Sequence, residues 1–189
     1  MKIKSLVIFS ALLLAVACAT NNNMTSSSST MPGMSSGMRM SDADIAGIVT
    51  NANQGEIDQA QAAVSKASSD DVRAFAQMMI NDHTNALNQA RTLFSNRNIT
   101  ANTSNDVAGN LASNSQQTIS ALNTYTGSAF DRQYIQSQID VHSWLLNSLD
   151  NTLIPSAGNR QLRDFLQTQR TAVAMHLDRA RQIQGTIGR

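Results

Sequence analysis

The chain has 189 residues, 41% of them hydrophobic but only 4% aromatic, with two prolines and a formal net charge of +1. Lys2 and Lys4 lie in a leader, so the remainder carries about −1, which gives no electrostatic basis for nucleic-acid binding. Cys18 is the single cysteine, which excludes an internal disulfide and any multi-cysteine metal site.

A short basic start, Met1 to Lys4, precedes an apolar run from Leu6 to Val16 that ends in Ala15-Val16-Ala17-Cys18. At about eleven residues the run is short for a bilayer span and fits the core of a signal peptide over residues 1–17. Small residues directly before a cysteine resemble a bacterial lipobox, with Ala15 where leucine is usual. The resemblance implies a lipidated Cys18 and a membrane anchor. Ala19 after it is similar to the outer-membrane sorting pattern of Gram-negative lipoproteins. Cleavage after Ala17 or Ala19 by an ordinary signal peptidase would instead release a periplasmic protein.

Residues 18–40 form a Ser-, Asn- and Met-rich stretch with no aliphatic periodicity, expected to be a flexible tether. Its Met31-x-x-Met34-x-x-x-Met38-x-Met40 spacing resembles the methionine-rich copper segments of periplasmic proteins. Thioethers are soft ligands that select Cu(I). Compositional drift would produce the same tract.

Five helices are predicted over residues 41–187, roughly 150 residues and one domain's worth of core. Ser41 and Asp44 make a capping-box start for the first, whose stripe of Ile45, Ile48, Val49, Ala52, Ile57 and Ala60 continues to about Ala67. Ser68-Ser69-Asp70-Asp71 supplies the next cap. The second stripe runs through Val72, Phe75, Met79, Ala86, Leu87 and Ala90 to about Asn96, and His83 falls on it. The third helix opens at Ser104-Asn105-Asp106 and ends before Gly127. The fourth begins near Ser128 and carries Phe130, Tyr134, Val141, His142 and Leu145. After a turn at Pro155 and Gly158, the fifth presents Leu162, Leu166, Val173, His176, Leu177 and Ile183. The third is long enough to return the chain to its starting end, so the other four form a ferritin-like four-helix bundle with the third as crossover. The class is all-α.

Several of these residues also match a known family. Gly55-Glu56-Ile57, Phe75-Ala76-Gln77-x-Met79 with Asp82-His83, Gly127-x-x-Phe130-Asp131-x-x-Tyr134, His142 and His176-Leu177 resemble the bacterial family called domain of unknown function 4142. The resemblance covers about residues 42 to 185. It implies an exported, often lipid-anchored protein of the ferritin-like superfamily with no assigned activity, and a fold alone supplies none.

Counting along the helices puts Glu56, His83, His142 and His176 within about four residues of one depth, near 6 Å at helical rise. Glu56 is the only glutamate in the chain. One carboxyl and three imidazoles suit Zn, Fe or Cu by ligand type, with Met79, one turn from His83, as an additional soft ligand for Cu(I). Asp82 and Asp140 lie off the stripes and could only orient imidazoles. The same four residues could instead hydrogen-bond to one another and specify the packing of the core. A diiron carboxylate centre does not fit, because Ile80 and Val173 stand where Glu-x-x-His requires glutamates. Neither a nucleophile–base motif nor a glycine-rich phosphate loop is present, so no catalytic residue is assigned. Two functions remain: a binding or structural module of the cell envelope, or a periplasmic metal-binding or storage protein.

Overall fold

The computed structural model describes Met31 and residues 39–187. Those residues contain six α-helices and no strand: α1 (Asp42–Lys66), α2 (Asp70–Asn96), α3 (Asp106–Leu122), α4 (Gly127–Ser148), α5 (Ile154–Ser156) and α6 (Arg160–Gln184). Leu149–Leu153 makes one π-helical turn between α4 and α5. The predicted leader and Cys18 lie outside the described residues, as do Met24, Met34 and Met38 of the tether.

Caps fix the helix ends. Ser41 accepts from the Asp44 N–H at 3.1 Å while Asp44 bonds back to the Ser41 backbone, closing the expected capping box. Asn105 caps α3 through the Ala108 N–H, and Asn159 caps α6 through those of Gln161 and Leu162. At α2 the expectation of a local cap needs correction, because the Ser69 side chain makes no capping bond. Buried Asp131 on α4 accepts from the Ser68 and Ser69 N–H groups at 3.0 and 2.9 Å, and from the Ser68 hydroxyl. A carboxylate 62 residues away replaces the hydroxyl.

These bonds also set direction. Asp42, opening α1, accepts from the Gly158 and Asn159 N–H groups at 2.8 and 2.9 Å, so α1 and α6 start at the same pole. Asp131 joins the starts of α2 and α4 at the other. The start of α3 is tied to α1 by Asn105 on the Asp44 carbonyl, and its end by Lys66 on Asn123. The bundle ring is α1, α2, α6, α4, each neighbour antiparallel, with α3 crossing outside α1. This is the ferritin-like topology with a crossover helix. The loop before α3 comes so close to α1 that a Cβ on Gly47 would stand 1.9 Å from the Asn102 oxygen. Gly55 likewise lets α3 approach, and Ser115 donates to its carbonyl at 3.1 Å.

Two apolar clusters fill the bundle. One, near the starts of α1 and α6, is chiefly aliphatic: Ile45, Ile48, Leu145, Leu149, Leu153, Leu162, Leu166 and Val173. The other, toward the α1–α2 turn, holds Phe75, Phe130 and Tyr134 with Val72, Met79 and Ile183. Met31 and Met40 pack against the first, so these two tether methionines are not free of the bundle. Between the clusters lies a layer of buried polar side chains, including Asn53, Glu56, Gln59, His83, Gln138, His142 and His176.

Candidate metal centre

His83 on α2, His142 on α4 and His176 on α6 are buried, with 7, 0 and 3% of their surface exposed. Each follows apolar residues at helical spacing, so the amphipathic faces that build the core carry the imidazoles inward. The ring centroids lie 5.9 Å (His83–His142), 5.3 Å (His83–His176) and 5.4 Å (His142–His176) apart.

One nitrogen of each ring is engaged by an acceptor. His142 Nδ1 lies 2.8 Å from the Gln138 carbonyl oxygen, which can only accept. His83 Nδ1 lies 2.9 Å from Asn53 Oδ1, and the Asn53 amide is oriented by its own donation to the Val49 carbonyl at 2.7 Å. His176 Nε2 lies 3.0 Å from Asp82 Oδ2. The engaged nitrogens therefore carry the protons, and the lone pairs fall on His83 Nε2, His142 Nε2 and His176 Nδ1. These three buried nitrogens have no hydrogen-bond partner. Each imidazole thus has the acceptor behind it that a ligating histidine needs for orientation.

Burial reinforces this assignment. It drives the His83 pKa well below the ordinary histidine value, with His142 and His176 adding to the shift. It takes His142 down to about 3, aided by His176 and opposed by the Gln138 carbonyl. Both rings are therefore neutral, the form that binds metals.

A ring nitrogen from each histidine lies within 4.8 Å of the other two. The centre of such a triangle is at most about 2.8 Å from each corner, so a contraction of about 0.7 Å reaches a Zn–N bond length. A hydrogen-bonded core would pair the lone pairs with donors. Instead three buried acceptor nitrogens are left without donors, on rings whose centroids lie within 5.9 Å of one another. The donor set fits a cation.

The other predicted residues fall elsewhere. Glu56 is 2% exposed but is absent from the three-histidine set. Its carboxyl meets the Gln138 side chain and lines a cavity between α1, α3 and α4. Burial raises its pKa to about 8, with Gln138 opposing. Met79, fully buried, belongs to the aromatic cluster. Asp82 orients His176, whereas Asp140 accepts from Gln136 at an exposed position. Asn53 and Gln138 act on the histidines and were not foreseen as site residues. Asn53 stands on the Val49–Asn53–Ile57–Ala60 line, where a buried amide was a readable signal. Gln59 bridges Gln138 and Ser115 behind Glu56.

The fold has a solved relative in CopM in the Cu(II)-bound form, at a TM-score of 0.60 and 16% sequence identity, covering 79% of this chain and 99% of that chain. No curated protein matches the sequence. The family model "Domain of unknown function (DUF4142)" matches residues 27–183, and with that span covered, the chain belongs to this family.

Proposed function

We propose that this protein is a metal-binding module of the cell envelope that holds one copper ion between His83, His142 and His176. The observation that carries the reading is the set of three buried, unpartnered ring nitrogens whose partner nitrogens are each tied to an acceptor. Neutral imidazoles suit Zn, Fe and Cu, and among divalent first-row ions Cu(II) binds such a site most tightly. The structural likeness to CopM, solved with Cu(II), supports the choice of copper.

Titration of the purified protein with Cu(II), followed by calorimetry and by electron paramagnetic resonance, tests the site. One equivalent with nitrogen hyperfine coupling is expected, and His142→Gln should weaken it by about 100-fold. Equal affinity in the variant, or a spectrum without nitrogen ligands, sinks the reading. A Zn(II) arm distinguishes copper selectivity from general divalent binding.

Anchoring through Cys18 is part of the same proposal, supported by the basic start, the apolar run and the Ala-Val-Ala-Cys ending. A labelled fatty acid should enter the wild type and not Cys18→Ala. Label in the variant, or a wild type that stays out of the membrane fraction, removes the anchor.

A further inference from the structure

The cavity behind Glu56 is chemically unlike the histidine cluster. It has about 20 Å³ of space, enough for one water-sized guest. Glu56, Gln59, Asn114, Ser115 and Ser137 line it from α1, α3 and α4, and Met31 covers it from the tether. Glu56 Oε2 has no partner. Among the described residues, no lysine or arginine lines the cavity.

We propose that this cavity is a second cation site, selective for a soft monovalent ion held by the Glu56 carboxylate and the Met31 thioether. It is independent of the three-histidine reading. Thioether sulfur selects soft ions such as Cu(I). One carboxylate neutralises one monovalent charge, whereas a divalent ion would leave a net charge in a buried place at a high desolvation cost. Burial keeps the carboxyl protonated, so uptake exchanges one proton released to solvent for one ion, and the cavity stays neutral throughout. Ser137, whose hydroxyl donates to the Tyr134 carbonyl at 2.7 Å, keeps oxygen lone pairs for the ion. Among the described residues, Met31 is the methionine that lines this cavity. That gives one residue of the methionine-rich tract a defined station on the bundle.

The test titrates the full mature protein with Cu(I), without oxygen, against a chromophoric competitor. It also follows methionine methyl resonances during addition of Ag(I), a redox-stable stand-in. Wild type should take two equivalents. Glu56→Gln should lose one, and Met31→Leu should weaken that same equivalent by at least about tenfold. The Met31 methyl should shift with Ag(I) in wild type and in His142→Gln but not in Glu56→Gln. Retention of both equivalents in Glu56→Gln, or a Met31 methyl that does not move while Ag(I) is taken up, overturns the site. If the histidine reading alone is wrong, wild type binds a single equivalent that His142→Gln keeps and Glu56→Gln loses.

Discussion

The two apolar clusters on either side of the polar layer are built differently. In the one toward the α1–α2 turn, Tyr134 meets Phe75 edge-on at 6.2 Å and stacks on Phe130 at 6.4 Å. All three rings are at most 2% exposed, so large rigid groups set the spacing of α2 and α4 there. The other is chiefly aliphatic, with Phe94 as its one buried ring, and contains a cavity of about 40 Å³, lined by Ile48, Leu145, Leu149, Leu153, Val173 and the ring of His83, among others. The π-helical turn at Leu149–Leu153 lies on this side. One end of the bundle is a fixed frame, and the other leaves room beside the histidines.

Truncation should separate the two ends most sharply. Phe75→Ala is expected to cost about 4 kcal/mol, because a ring in a close-packed cluster leaves a large void. Leu153→Ala, beside space that already exists, should cost about 2–3 kcal/mol, near the lower end of its class. Urea melts of both variants measure the gap; equal costs would mean the ends are packed alike.

The polar layer should give a stability maximum near pH 6.5. His83 and His142 stay neutral in the fold while their unfolded counterparts protonate, so stability falls as the pH drops below about 6.5. Glu56 acts with the opposite sign. Its folded pKa of about 8 exceeds the unfolded value of 4.5, so the fold holds a proton that the unfolded chain has released. That contribution is lost as pH rises from 4.5 to about 8, and above pH 6.5 nothing from the two histidines offsets it. Glu56→Gln should remove a decline of about 2 kcal/mol between pH 6.5 and 8. Melts across that range decide the point, and an unchanged slope in the variant would place the Glu56 pKa elsewhere.

The smallest effect expected is a gain. Val173→Ile adds one methylene to the wall of the aliphatic cavity and should stabilise the protein by up to about 0.8 kcal/mol. A loss instead would show that the space is already needed by its neighbours.

Much of this architecture was legible in the sequence. The Ser41 and Asn105 caps, the apolar stripes and the length of the third helix together specified the crossover bundle. Two things were not legible. The start of α2 is held by Asp131, and no local pattern reports a bond between residues so far apart in sequence. Glu56 was placed by depth alone, but a shared depth does not fix the direction a residue faces around its helix. Three residues separate Asn53 from Glu56, a turn of about 300°. It is Asn53 that meets His83, whereas Glu56 turns toward Gln138 and the α3 side. The histidines were recoverable because His83 and His176 interrupt apolar stripes and His142 stands beside Val141 on another.

The aspartate bonds at the two poles have an electrostatic consequence. Around the ring every neighbouring pair of helices is antiparallel, so adjacent macrodipoles attract. Outside the ring α3 starts beside the start of α1, while within it like ends share a pole only across the diagonals, α1 with α6 and α2 with α4. At each of these junctions one carboxylate from the first turns of one helix accepts N–H groups at the entry to the other: Asp42 for α6 and Asp131 for α2. One carboxylate thus bridges two positive helix ends at each pole, beside the first-turn acid Asp44 at one and Asp70 and Asp71 at the other. Part of the backbone's own field is offset by two bridging carboxylates whose hydrogen bonds here go to the helix entries and not to the three histidines.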